Sequence, residues 1–303
     1  NLVEYPAYPV SIPQNLVDYV VVVDEIGNPE RISEGATRVT KNPQDLIIAE
    51  YASRVLIESG YVKEGFSFQA GSGGASLAVA KYLKDYMKEN SIVGSFASGG
   101  VTSYLVEMLE EGLFKTLMDA QTFDCIAAKS LDKNKNHIEM SASMYANPGV
   151  KGCVSDNLDI MILSATEVDL NFNINVMTAS TGVIMGAIGG HPDTAAGAKL
   201  RVCVTPLIRK RIPIIVDEVL TLVTPGDNVD VVVTERGIAV NPQNKTLLEK
   251  LSKTGLPIFT IKELKEMAEK ITGTPEKVRL GENIVGIIEY RDGTIIDTVR
   301  QIL

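Results

Sequence analysis

Three glycine clusters could bring backbone amides to an anion. They are Gly71-Ser72-Gly73-Gly74, Ser98-Gly99-Gly100, and Gly186-Ala187-Ile188-Gly189-Gly190, which runs on into His191-Pro192-Asp193. At the start of a helix the first N–H groups have no intrahelical partner, and glycine lets a ligand approach the main chain closely. Such turns suit a phosphate, a carboxylate or the oxyanion of a reacting thioester. One glycine turn between strand and helix usually serves tight packing, whereas three in one region point to a shared anion-binding cleft. His191 adds an imidazole able to give or take a proton. Asp193 adds a carboxylate that either caps the following helix or faces the site.

Other side chains extend this set. Glu167 follows the apolar run Ile160–Leu163, and the carboxyl end of a strand favours a site in an open α/β sheet. Arg209-Lys210-Arg211 is a compact cationic loop able to hold phosphates, or simply a solvated one; Lys133–Lys135 reads the same way, more weakly. Nucleotide fingerprints are not met: Gly71-Ser72-Gly73-Gly74-Ala75-Ser76 lacks the third glycine of a dinucleotide turn, and no P-loop lysine follows. Nicotinamide and ATP chemistry are therefore disfavoured.

Composition narrows the classes further. The chain has 303 residues, 45% apolar and 22% charged, enough for one large core or two modest ones. A net charge of -9 argues against binding nucleic acid, and no apolar run reaches the roughly 18 residues of a membrane span. Only two histidines occur, and Cys125, Cys153 and Cys203 match no metal or redox spacing, so no metal site is expected. Reduced thiols and the lack of a secretory signal lead to the expectation of a cytoplasmic protein. The sequence opens on Asn1 rather than Met, as if the gene start lay upstream.

The elements that must position these residues follow from pattern. Asn42-Pro43 starts a helix that Gly60 closes. Strand Phe66–Ala70, the first glycine turn and helix Ala75–Lys88 come next. Strand Ile92–Phe96, the second turn and a helix from Thr102 repeat the unit, and strand–turn–helix units in series imply a largely parallel sheet. Further strands are expected at Phe123–Ala127, Asp159–Ser164, Arg201–Thr205, Ile212–Val216, Val219–Val223 and Asp230–Thr234. A helix is expected from Asn241-Pro242, another capped by Thr260 with Glu263, and a hairpin closes the chain around Arg291-Asp292-Gly293. The proline-rich opening holds one strong strand, Asp18–Ile26, which must pair with something upstream or dock on the rest.

The order of these turns resembles the citrate lyase alpha chain family. The likeness is carried by Phe66 to Ala80, Ile92 to Gly100, Ser164–Asn173, Gly186–Ala198 and Pro225 to Val240, and it spans essentially the whole sequence. The resemblance implies a three-layer α/β/α CoA-transferase-like fold with a mostly parallel sheet. Residues 1–34 would be the tail of a first transferase half or a linker, and 35–303 the second CoA-transferase-like domain.

The implied activity is transfer of a carrier-protein or CoA thiol from an acetyl thioester to citrate. The partners would be an acyl carrier protein (gamma) subunit and a citryl lyase (beta) subunit, within a homo-oligomer. The chain itself would bind no cofactor, acting instead on a CoA or phosphopantetheine-type group carried by a partner. In covalent CoA-transferases a nucleophilic glutamate follows the strand that Ile92–Gly100 resembles, its place falling on or near Ser98, and no Asp or Glu occurs between Asn90 and Glu107. Direct attack by the citrate carboxylate is then the implied route, with Ser98, His191 and Glu167 as the candidate catalytic groups. Gly71, Ser72, Gly73, Gly74, Gly99, Gly100, Gly189, Gly190, Asp193 and Arg209 would bind substrate. The alternatives are a covalent CoA-transferase using another glutamate such as Glu167, and a non-catalytic metabolite-sensing domain of the same fold.

Overall fold

The computed structural model describes residues 14–27, 40–71, 73–150 and 152–303. The first crossover units are α1 (Pro43–Ser59), β1 (Ser67–Gln69), α2 (Gly74–Glu89), β2 (Gly94–Val101), α3 (Ser103–Glu110), β3 (Phe114–Thr122), α4 (Cys125–Lys133) and β4 (His137–Glu139). Then come α5 (Ala142–Ala146), β5 (Ile160–Ser164), β6 (Glu167–Asp169), β7 (Ile174–Asn175), α6 (His191–Gly197), β8 (Leu200–Val204), β9 (Ile208–Arg209), β10 (Ile212–Pro213) and β11 (Ile215–Val216). The remainder is β12 (Val231–Thr234), β13 (Gly237–Val240), α7 (Lys245–Leu251), β14 (Ile258–Phe259), α8 (Ile261–Thr272) and the hairpin β15 (Leu280–Glu289) and β16 (Ile295–Ile302).

Among the described residues, nine strands form one sheet in the order β14-β13-β12-β8-β5-β1-β2-β3-β4, parallel except where β12 meets β13. Its strands read as unbroken apolar runs because both faces are covered. With a side-chain period of two, Ile160, Ile162, Val202, Val204, Val231 and Val233 enter a core shared with α1, α2, α3 and α7. Met161, Leu163, Cys203 and Val232 enter the opposite core, with α5, α6, α8 and the small sheet β11-β6-β7. This is the three-layer α/β/α arrangement expected from sequence. Helix ends follow local chemistry. Asn42 caps α1 by accepting from the Gln44 amide, Gly60 closes it at φ 80°, and Thr260 with Glu263 completes a reciprocal capping box on α8.

Several elements differ from the pattern reading. Phe123–Ala127 is no strand: the Asp124 carboxylate accepts from the Ala127 amide and starts α4 instead. Val219–Val223 lies outside the strands because side chains take its amides, Glu167 that of Leu220 and Asp297 that of Leu222. The helix expected from Asn241 begins at Lys245, where Asn244 supplies the cap. Ser98-Gly99-Gly100 lies inside β2 rather than after it. Asp18–Ile26 is no strand among the described residues; it is exposed, with Val22 93% accessible, because no neighbouring strand takes its backbone groups. Ser72 and the opening prolines Pro6, Pro9 and Pro29 lie outside the described residues, Pro13 among them too.

Candidate active site

The sheet order dictates where a site belongs. From β1 the chain steps to β2, β3 and β4 on one side, and from β5 it steps to β8 and β12 on the other. The switch point therefore lies between the neighbours β1 and β5, and the carboxyl ends of such strands are where an open α/β sheet places its site. The first two glycine turns lie there on adjacent strands, with Gln69 of β1 in register with Ser98 of β2. The third arrives through His191, whose Nε2–H donates to the Ser164 carbonyl at the end of β5, 2.9 Å away.

A directed chain of hydrogen bonds runs from the second turn to Tyr145, which packs against the third. The buried Ser98 hydroxyl donates to Gln69 Oε1 at 3.0 Å, and Gln69 Nε2 donates to the Tyr145 hydroxyl at 2.6 Å. The Tyr145 ring lies against Gly190, whose carbonyl accepts from the Thr194 hydroxyl at 2.8 Å. Burial pushes the Tyr145 phenol up to about 12, so it holds its proton across the neutral range. Two glycines are required by the packing. A Cβ on Gly99, which has φ 98°, would lie 2.8 Å from Gln69 Cδ, and one on Gly190 would lie 2.7 Å from the Tyr145 ring.

The first turn opens α2. Gly73 is the N-cap of α2 and offers no side-chain cap, and a Cβ built on it meets nothing within 4 Å. The first N–H groups of this 16-residue helix have no intrahelical partner, and Thr40 packs against Gly74 beside them. A Cβ on Gly71 would lie 3.1 Å from Ser76 Oγ and 3.6 Å from the Ile162 carbonyl, a close but not clashing fit.

The candidate side chains occupy distinct places. The His191 ring is bound at both nitrogens, Nε2–H to Ser164 and Nδ1 accepting from the Thr224 hydroxyl at 2.7 Å. Burial brings its pKa down to about 4, so the ring is neutral and anchors the third turn to β5. Glu167 is 3% exposed, and its carboxylate accepts from Asn175 Nδ2 at 2.9 Å and from the Leu220 amide at 3.0 Å. Arg209 reaches the same rim, donating to the Ala165 carbonyl at 3.0 Å. Asp193, in the first turn of α6, has its pKa raised by burial, partly offset by Arg291 3.5 Å away. Gln69, Tyr145, Thr194 and Thr224 escape sequence reasoning. Gln69 gives one faint signal, a polar residue ending a buried strand, whereas Tyr145 is 76 residues away from it and gives none.

Residues 1–302 match the family described as "Citrate lyase, alpha subunit (CitF)". The chain belongs to the citrate lyase alpha subunit family. It is 52% identical over 300 residues to the citrate lyase alpha chain of Klebsiella pneumoniae and 49% identical over 302 residues to that of Escherichia coli, covering 99% and 100% of this chain. It spans 59% of the length of each. A solved structure described as the alpha subunit of citrate lyase from Streptococcus mutans, in complex with citrate, superposes with a TM-score of 0.93 at 55% identity. The match covers 99% of this chain and 59% of that one. The alpha subunit of a malonate decarboxylase from Acinetobacter baumannii shares the fold, with a TM-score of 0.56 at 17% identity over 88% of this chain and 54% of that one. Among the described residues, no helix is long and apolar enough to cross a membrane.

Proposed function

We propose that this chain carries the acyl-exchange site of a citrate:acyl-carrier-protein transferase, which turns an acetyl thioester and citrate into a citryl thioester and acetate. The observation that supports this reading most is the meeting of glycine turns at one switch point with Ser98, not a carboxylate, at the centre. Glu167, the alternative nucleophile, has its carboxylate engaged by Asn175 and Leu220.

In this reading a citrate carboxylate oxygen attacks the acetyl thioester carbonyl. A C–O bond forms, the C–S bond breaks, and a mixed anhydride and a thiolate result. The thiolate then attacks the citryl carbonyl of the anhydride and expels acetate. One thioester replaces another, so the free energy change is small, and the protein must supply alignment and N–H donors for two tetrahedral oxyanions. In this reading the donors are main-chain amides at the start of α2, where Gly73 has no side-chain cap, and beside the β2 bulge at Gly99–Gly100. Arg209 stands at the rim, where phosphates of a CoA or phosphopantetheine arm would enter. The partners in this reading are the carrier (gamma) and citryl lyase (beta) subunits, and the chain works with no resident cofactor.

The test incubates the full-length protein with acetyl-CoA and labelled citrate. Labelled citryl thioester with no acyl group on the protein is expected. A hydroxylamine-sensitive acyl group on Glu167 would instead establish the covalent route. Citrate binding without turnover would establish a sensing role.

A further inference from the structure

We infer that Asp119 and His137 are positioning residues for the Ser98–Gly100 segment; the inference rests on the function proposed above for that segment. Asp119 lies near the carboxyl end of β3, and its backbone is in register with Gly99. The next pair is Gly100 with Gln121, so Ala120 is an extra residue and the ladder carries a bulge here. Beside that bulge Gly99 takes φ 98°, which aims its missing Cβ at Gln69. The bulge therefore sets the direction of the segment that carries Ser98.

The irregularity is fastened at several points. Thr122 Oγ1 donates to Asp119 Oδ2 at 2.7 Å, closing the bulge on itself, and the Met140 amide donates to the Asp119 carbonyl at 2.9 Å. His137 Nε2–H donates to the same Oδ2 from the neighbouring strand β4 at 3.1 Å, and its Nδ1 pairs with Ser130 Oγ of α4 at 3.0 Å. Both side chains are essentially inaccessible, at 1% and 0%. Asp119 Oδ1 is buried with no hydrogen-bond partner among the described residues. A buried carboxylate with one oxygen unmatched is an expensive way to pack a strand end, since apolar residues of similar volume would do it at least as well. The carboxylate does what they would not: it ties Thr122 and His137 to the residue opposite Gly99. From the far side of the same strand end, the Phe123 ring closes over Gly100.

The test compares four variants of the full-length protein. His137→Gln places its amide nitrogen where Nε2 stands and keeps the bond to Asp119. His137→Asn places it where Nδ1 stands and loses that bond. Asp119→Ala removes the tie altogether. Asp230→Asn, which weakens the remote pair of Asp230 with Arg201, controls for general destabilisation.

The expected result is that Asp119→Ala and His137→Asn lower kcat at least tenfold with KM within threefold. Peptides spanning residues 95–103 should exchange deuterium faster in both. His137→Gln should stay within threefold of the parent, and Asp230→Asn should lower Tm while leaving kcat unchanged. Parent-like kcat and parent-like exchange of 95–103 in Asp119→Ala and His137→Asn would overturn the inference. Equal failure of His137→Gln and His137→Asn would also overturn it. Were the parent itself inactive in citrate transfer, the function would fail, and the exchange of 95–103 would still decide the positioning.

Discussion

At the residue scale the site is a set of neutral groups holding main-chain amides in place. Ser98, Gln69, Tyr145 and Thr194 each spend hydrogen bonds on one another or on Gly190, so their part is spacing. Tyr145→Phe removes the acceptor of Gln69 Nε2 and leaves that donor buried. About 1–2 kcal/mol of positioning should be lost, read as a fivefold to thirtyfold lower kcat for citrate transfer. His191 gives a pH signature. Its pKa falls from 6.5 in the unfolded chain to about 4 in the folded one, so folding favours the neutral ring. The stability this gives is full above pH 6.5 and is lost as the pH falls through the window toward 4. The ring keeps partial exposure, so about 1–3 kcal/mol is expected. Denaturant midpoints at pH 7 and pH 4.5 should draw closer together in His191→Gln. A parent-like difference between them would show that the histidine carries none of this linkage.

Elements decide how much of this was legible beforehand. The strand–glycine–helix units announced a parallel sheet because buried strands such as Val231–Thr234 are apolar on both faces, and that pattern survives in any sequence with this architecture. The end of β2 was misplaced, since a bulge at Gly99 depends on what β3 does opposite it, and a single strand's sequence says nothing of its neighbour. The same holds for Val219–Val223, whose amides are taken by carboxylates far away in the sequence. Of the site, glycines and His191 stood out by residue type. Gln69 and Tyr145 did not, because their meaning lies in a contact across 76 residues. Gly99→Ala tests the element-level argument. Its φ of 98° and the 2.8 Å approach to Gln69 predict about 1–3 kcal/mol lower stability and at least tenfold lower transfer activity. Calorimetry and the citrate transfer assay on one preparation would check both, and an active Gly99→Ala of parental stability would refute it.

For the molecule as a whole, a buried cluster on each face of the sheet fixes the strand ends at the switch point relative to one another. The chain spans 59% of the length of the relatives it matches, and its exposed apolar run Tyr19–Val23 has no partner strand among the described residues. The central idea is that backbone amides at the β1–β5 switch point hold the carboxylate that performs the displacement. A crystal structure of the full-length protein with citrate tests it most directly. A citrate carboxylate within hydrogen-bonding distance of the Gly73–Gly74 and Gly99–Gly100 amides, with no Asp or Glu side chain between it and Ser98, is the predicted result. Citrate bound away from the β1–β5 switch point, or Glu167 turned against it there, would contradict the account.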